Sequence, residues 1–263
     1  MKNRWSLFAI IVLCCVTVLT TAVSARSYTI GETDLTVEID DSIWYVFTRD
    51  NLENNPELDE LGVTYEYMYN TMTENQAYVD AILFYEDGSS IEFFVLKRYN
   101  GNIINLSNYD ADYLESFAQG VKDGVEKENI KIDKYSIYET EYKFVKLEYT
   151  DSDYYILNYI TVVNGDIYTF AFQSDVPFSS AEVEQVEEIV NSARFEIAPN
   201  LKEKNKTSGE NRILFGAIRG GIIGGVAGGI GAFIAGRKKR KLKKAGDIAA
   251  SSPEAEVKPE EDK

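Results

Sequence analysis

The most constraining feature of the sequence is a glycine-rich apolar run that ends in a dense block of cations. Residues 213–236 would form a helix about 36 Å long, against about 30 Å for the hydrocarbon core of a bilayer. The next eight residues, RKKRKLKK, include seven cations, which the positive-inside rule keeps in the cytoplasm. The sequence therefore predicts one transmembrane helix with its N-terminal side outside. The stop-transfer residues are Arg237, Lys238, Lys239 and Arg240.

The predicted helix contains one charge and a regular series of glycines. Arg219 would cost about 2.5 to 3.5 kcal/mol at the bilayer centre, but it lies near the start, where a long side chain reaches the interface. A spacing of four places small residues on one helix face, where a second helix can pack closely. This spacing predicts homo-oligomers or a partner helix, and the alternative is a span that is merely rich in glycine. The residues in question are Gly216, Gly220, Gly224 and Gly228.

The N-terminus has the pattern of a secretory signal. A positive start, an apolar run over residues 7–18 and a small-residue site ending at Ala25 predict a signal peptide over residues 1–25. The alternative is an uncleaved signal anchor. Cys14 and Cys15 are the only cysteines, so cleavage would leave a chain without disulfides.

Charge and composition exclude several classes of function for the segment between the two apolar stretches. Residues 26–208 contain 36 Asp and Glu against 14 Lys and Arg, a net charge of −22. So acidic a domain is repelled by phosphate backbones, and we expect no nucleic acid partner. The chain has no histidine, and the mature chain would have no cysteine, so the usual general base, thiol nucleophile and zinc ligands are missing. We therefore predict a protein without catalytic residues, metal or cofactor.

Three groups of carboxylates are the remaining candidates for chemistry. Each has a plainer explanation as a hairpin loop, as helix N-terminal charges or as a solvated helix face. Calcium binding at an acidic loop is the alternative, although no loop has the full ligand spacing of a known calcium motif. The groups are Asp151 with Asp153, Asp110 with Asp112 and Glu115, and Glu184 with Glu188.

Residues 26–198 have the pattern of a folded α+β domain. "DLTVEID" alternates as a half-buried strand should, and Asp87-Gly88 and Asn164-Gly165 each separate two β-rich runs, as in hairpins. "KFVKLEYT" is a further strand. Asp110 and one of Ser179 or Ser180 are predicted N-caps of helices. Strand runs joined by tight hairpins, with helices interspersed, predict a mainly antiparallel sheet flanked by helices.

One segment, residues 63–69, is ambiguous, and a family resemblance bears on it. The alternation in "VTYEYMYN" favours a strand, whereas Thr64 as a cap favours a helix. The order of "LTVEIDDSIWYVFTRDN", "LDELGVTYEYMYNTMTENQAYVDAI", "NYITVVNGDIYTFAF" and "VEEIVNSARFEI" resembles the PsbP/DcrB-like domain of exported, membrane-anchored proteins of Gram-positive bacteria. The resemblance covers most of residues 28–198. It implies a helix here and an α/β/α sandwich used for binding or assembly. The chain departs from the family at residues 40–44, where a proline usually precedes Trp44.

Tyrosine usage and the predicted layout together suggest a role. All 18 tyrosines lie between Tyr28 and Tyr168. Tyrosine is favoured at recognition surfaces but also in strands, so a cluster on one exposed face would be needed to indicate binding. We expect a non-catalytic binding or assembly module of the cell envelope, recognising an envelope protein or peptide. The alternative is a structural membrane protein whose glycine-zipper helix drives oligomerisation or association with a membrane complex.

The predicted layout places these parts on both sides of the cell membrane. The α+β domain lies outside and is joined by a linker, residues 199–212, to the single transmembrane helix. The basic segment and a disordered tail, residues 237–263, lie in the cytoplasm.

Overall fold

A computed structural model of the chain describes residues 25–99, 103 and 105–197. The ten strands are β1 (Arg26–Thr29), β2 (Leu35–Ile39), β3 (Trp44–Thr48), β4 (Ala77–Phe84), β5 (Ser90–Tyr99), β6 (Ile132–Glu139), β7 (Lys143–Asp151), β8 (Tyr154–Val163), β9 (Asp166–Ser174) and β10 (Arg194–Phe195). The α-helices are α1 (Pro56–Leu61), α2 (Tyr65–Glu74), α3 (Ala111–Glu126) and α4 (Ser180–Ser192), with a short 3₁₀ helix at Leu106–Asn108.

The strands form two antiparallel sheets. The larger has seven strands in the order β3-β4-β5-β9-β8-β7-β6, and the smaller has three in the order β1-β2-β10. Every neighbouring pair in both sheets is antiparallel. The prediction of an α+β domain with a mainly antiparallel sheet is therefore confirmed.

The large sheet is covered on both faces. On one face, α1 and α2 pack over β3, β4 and β5, and α3 packs over β6, β7 and β8. On the other face, α4 and the small sheet pack against a core rich in aromatic rings, among them Phe93, Tyr159, Phe170 and Phe172. Because successive side chains of a strand point to opposite faces, these strands are apolar on both sides and read as nearly continuous hydrophobic runs.

The turns and caps follow from local residue chemistry. Asn164 and Gly165 have φ of 54° and 87°, as the two central residues of a type I′ hairpin require. Gly88, in the β4–β5 hairpin, has φ of 89°. The Asp110 side chain accepts a hydrogen bond from the Tyr113 amide, 2.9 Å away, and caps α3. Ser179 begins α4 with a reciprocal capping box, so of the two serines predicted as a cap it is the first.

The ambiguous segment is helical. The Thr64 hydroxyl oxygen accepts a hydrogen bond from the Tyr67 amide at 3.2 Å and caps α2. Met68 and Met72, four residues apart, are the buried residues of this helix. The residues that this helix buries are thus the two methionines, at helical spacing, and the alternating tyrosines remain exposed.

Candidate functional site

Helix α2 carries three exposed tyrosines, two of which share a face. Because Met68 and Met72 direct one side of the helix into the core, Tyr65, Tyr67 and Tyr69 remain 41%, 39% and 41% exposed. Tyr65 and Tyr69 lie on the same side of the helix, and their rings stack with centroids 5.7 Å apart. Tyr67 is two residues from each of them and so faces the other side of the helix. We call Tyr65 and Tyr69 the tyrosine surface. This stacked pair is the exposed aromatic feature that the composition alone could not reveal.

Helices α1 and α2 carry acidic side chains and no lysine or arginine. Between Arg49 and Lys97 the sequence has no lysine or arginine. Asp59 and Glu60 of α1, and Glu66 and Glu74 of α2, are exposed. The pKa of Glu57, at the start of α1, is raised by partial burial and then by the charge of Glu60. The two helices together therefore have an excess of negative charge.

A second feature is a row of buried polar side chains that crosses the large sheet. The register places Asp80 of β4 opposite Phe94, one step diagonally from Glu92 of β5. Glu92 lies opposite Gln173 of β9, whose amide nitrogen donates to the Glu92 carboxylate at 2.6 Å. On β8, the Asn158 amide donates to the Tyr149 hydroxyl at 2.9 Å. We call these five residues the polar row.

The electrostatics of the polar row are dominated by burial. Asp80 is fully buried between Phe47 and Phe94 on the flanking strands, and neither of its carboxylate oxygens has a hydrogen-bond partner among the described residues. Burial, and then the nearby charge of Glu92, raise the pKa of Asp80 well above its ordinary value. Burial also raises the pKa of Tyr149. Asp80 therefore favours its protonated form, because its ionisation would place a second negative charge beside Glu92 in a buried region.

The carboxylates predicted as candidates have structural roles or lie apart. Asp151 and Asp153 flank the β7–β8 turn at Ser152, whose φ is 55°. Asp110 caps α3, and Glu115 on that helix accepts from the Tyr135 hydroxyl at 3.1 Å. Glu184 and Glu188 are exposed on α4. In the part of the chain that the structure describes, no three or more carboxylates form a group able to hold a metal ion.

The membrane-related predictions fall on other residues. Ala25, before the predicted cleavage site, is the first described residue and is exposed. The four glycines of the predicted transmembrane helix and the stop-transfer cations lie outside the described residues. Within residues 25–99, 103 and 105–197, none of the helices combines the length and the apolar character needed to cross a bilayer. The signal peptide, the transmembrane helix and the cytoplasmic tail therefore stay predictions.

The polar row was not predicted from the sequence. The sequence marks two of its residues as unusual, but it does not show that the residues lie together. Asp80 and Glu92 each interrupt an apolar strand run, "YVDAILF" and "SIEFFVL", which is an anomaly in a buried strand. The hairpin turn at Asp87-Gly88 brings the two strands together. Gln173 arrives from β9, which follows β5 in the sheet but is distant in sequence.

Comparison with known proteins gives a likeness of fold only. No protein-family model matches the chain, and no curated protein matches it. The solution structure of cyanobacterial PsbP (CyanoP) from Synechocystis sp. PCC 6803 is similar with a TM-score of 0.38 and 10% identity, covering 68% of this chain and 96% of that chain. A protein of unknown function from Pseudomonas aeruginosa, PA94, described as a putative regulator, is similar with a TM-score of 0.24 and 12% identity, covering 72% of this chain and 98% of that chain. A PsbP is thus among the similar structures, at a TM-score below 0.5.

Proposed function

We propose that this chain is a membrane-anchored, extracytoplasmic module of the cell envelope that binds or assembles with an envelope protein or peptide and performs no catalysis. The observation that supports binding is the tyrosine surface on α2. Tyrosine offers a large, rigid and amphipathic contact area at low entropic cost, because only two side-chain torsions must be fixed. Tyr65 and Tyr69 already hold each other in a stack, so part of that cost is met before a partner arrives.

Capture on intact cells tests the binding role. In cells carrying the full-length chain, crosslinking should capture a defined set of proteins. Replacing Tyr65 and Tyr69 by serine should abolish that capture because it removes the stacked aromatic contact area. The matched control replaces Tyr99 and Tyr155 by serine, since both are exposed but lie on strands away from α2. Equal capture by both variants and the wild-type chain would rule out the tyrosine surface as the binding site.

The layout across the membrane needs its own test. A chain with Cys14 and Cys15 replaced by alanine can carry single cysteines at Thr73, exposed on α2, or at Ala250 in the predicted tail. A membrane-impermeant maleimide added to intact cells should label the first and not the second. Labelling only at Ala250 would invert the orientation and overturn the extracytoplasmic role. N-terminal sequencing should find Arg26 first if the signal peptide is cleaved.

The spacing of the glycines favours a second candidate function. The structural alternative is that the glycine-zipper helix drives oligomerisation or association with a membrane complex, with the folded domain serving as a cap. Replacing Gly220, Gly224 and Gly228 by leucine should then reduce the oligomer size in detergent while the domain stays folded. An unchanged size would argue against this alternative and leave the binding role in place.

A further inference from the structure

We propose that Asp80, Glu92 and Gln173 form a buried binding site for one hard divalent cation, calcium or magnesium. The cation lies on the helix-covered face of the large sheet and joins β4, β5 and β9 through side-chain oxygens. The proposal does not depend on the tyrosine surface. It assigns a ligand to a part of the polar row that the proposed function does not use.

The first support is the arrangement of the three side chains. Asp80 lies opposite Phe94, and Glu92 is two residues from Phe94, so both carboxylates point to the same face from adjacent strands. Glu92 lies opposite Gln173 on the next strand, and the Gln173 amide nitrogen is 2.6 Å from the Glu92 carboxylate. Because adjacent strands are about 4.8 Å apart, the three side chains are near neighbours.

The second support is a set of buried oxygen atoms without donors. Asp80 is 0% exposed, and neither of its carboxylate oxygens has a hydrogen-bond partner among the described residues. The side-chain oxygen of Gln173, which is 3% exposed, likewise has no partner in this part of the chain. Buried polar atoms are nearly always paired with protein groups or ordered water, and an unpaired one can mark an ion. These three oxygens therefore indicate a ligand that they could contact directly.

A divalent cation fits the charge of the site better than the other small occupants. None of the ion pairs among the described residues includes Asp80. A water molecule could donate to the unpaired oxygens, but it would leave the charge of the buried carboxylates unbalanced. A proton on Asp80 would neutralise one carboxylate and leave Glu92 charged. One divalent cation balances both.

The donor set indicates the class of cation. It consists of two carboxylates and an amide oxygen, which suit calcium and magnesium, whereas zinc and copper favour nitrogen and sulfur ligands. Water molecules complete the coordination shell. The set is distinct from a group of three or more acidic side chains, which the described residues do not form. Because calcium affinity depends on the number of charged ligands, we expect a dissociation constant of about 10⁻⁴ to 10⁻³ M.

Further carboxylates lie between the site and the surface. Tyr154, half-buried at the start of β8, lies on the same face as Gln173. The pKa of Tyr154 is raised by burial and then by the charge of Glu92. The charges of Asp175, which is half-buried, and Asp153, which is exposed, raise it further. Negative charge therefore extends from Glu92 to the surface at this end of the sheet, where a cation can approach.

Thermal unfolding of the full-length chain tests the proposal. The chain is kept in a neutral detergent at about 150 mM NaCl, which screens unspecific attraction of cations, after EDTA has been added and removed. Calcium chloride should raise the unfolding midpoint in a saturable way, by about 3 to 6 °C at about ten times the dissociation constant. Magnesium chloride is the second arm, and the larger rise identifies which of the two cations the site prefers. Isothermal titration should give a single cation per chain.

Substitution of Asp80 separates a cation ligand from a residue with a structural role only. Asp80→Asn should stabilise the chain without the cation, because it removes a buried charge, and should weaken binding of calcium about tenfold or more. A residue with only a structural role would shift the midpoint equally with and without calcium. Glu92→Gln should also weaken binding about tenfold. Asp59→Asn, exposed on α1, is the matched control and should keep the full response to calcium.

Two results would overturn the proposal. One is a midpoint that neither calcium nor magnesium raises. The other is an equal rise in the wild-type chain, Asp80→Asn and Asp59→Asn, which would mean unspecific binding of cations to the acidic surface. Neither result bears on the proposed binding of an envelope protein or peptide, because capture on cells is tested through Tyr65 and Tyr69.

Discussion

Asp80 places a carboxyl group in the middle of an apolar strand. It lies between Phe47 and Phe94 in the register of the sheet, and its oxygens have no hydrogen-bond partner in the part of the chain that the structure describes. A polar group buried in this way lowers the stability of the fold instead of adding to it. Glu92 adds a second carboxyl beside it, and Gln173 donates to Glu92. The stability of the fold should therefore depend on pH through the ionisation of Asp80.

Replacing Asp80 by asparagine should stabilise the chain at neutral pH. The pKa of Asp80 is higher in the folded state than in the unfolded state, so the folded state favours the protonated carboxyl. The resulting contribution to the free energy of unfolding is complete below the ordinary aspartate pKa of about 3.9 and is lost as pH rises through the raised value. Asparagine does not ionise, so the free energy of unfolding at pH 7 should increase by about 1 to 3 kcal/mol.

Urea unfolding between pH 4 and pH 8 measures this change. The wild-type chain should lose stability as pH rises above about 4, and Asp80→Asn should lose less. Asp59→Asn, exposed on α1, is the control and should follow the wild-type profile. A pH profile of Asp80→Asn that runs parallel to the wild-type profile would contradict the assignment.

The polar row also shows where sequence reasoning stops at the residue scale. The β4–β5 hairpin could be predicted because Asp87-Gly88 is a local signal. The pairing of Glu92 with Gln173 could not be predicted, because it requires β9 to lie beside β5 in the sheet. The two residues are about eighty positions apart, and only the packing of the whole domain brings them together. Non-local pairing of this kind leaves no period or spacing in the sequence.

Among the helices and strands, the tight turns and the starts of helices could be predicted from a few neighbouring residues. Both hairpin turns and the caps at Asp110 and Ser179 were predictable, because each is decided by a few adjacent residues. β6 was not predicted, since its two faces are mostly half-buried or exposed and show little apolar alternation. β10 is only two residues long and depends on its partner β2.

Replacing glycine by alanine should destabilise the chain in the β8–β9 turn but stabilise it in helix α3. Gly165 has φ of 87° and open space where a Cβ would lie, so Gly165→Ala should cost about 1 to 2 kcal/mol through backbone strain alone. Gly124 lies in α3, also with open space, and Gly124→Ala should stabilise by about 0.5 to 1 kcal/mol. Chemical denaturation of the two variants checks the opposite signs, and the same sign in both would refute the assigned turn.

Besides its pairing with β2, β10 is held to the core by a tyrosine hydroxyl. The Tyr142 hydroxyl accepts a hydrogen bond from the Phe195 amide at 3.1 Å and donates to the Phe195 carbonyl at 3.4 Å. Tyr142→Phe keeps the ring contact with Phe195 but leaves both backbone groups unpaired, so it should destabilise the chain by about 1 to 3 kcal/mol. Tyr155→Phe, at an exposed position, should have little effect in the same thermal unfolding experiment. Equal midpoints for the two variants would show that the hydroxyl does not secure β10.

For the whole molecule, the dominant quantity is the excess of negative charge. Residues 26–208 carry a net charge of −22, and eleven of their carboxyl groups fall between Arg49 and Lys97. Ion pairs such as Lys97 with Asp166, 3.1 Å apart, offset part of this excess. The remainder repels itself in the folded state, where the charges are closer together than in the unfolded chain.

Raising the salt concentration should therefore stabilise the fold. Raising NaCl from about 10 to about 100 mM shortens the Debye length from about 30 to about 10 Å, which screens the repulsion between carboxylates. The thermal midpoint of the full-length chain should rise over this range, and replacing Glu57, Glu60 and Glu66 by glutamine should reduce the rise. A midpoint that falls with salt would mean that ion pairs outweigh the repulsion between carboxylates.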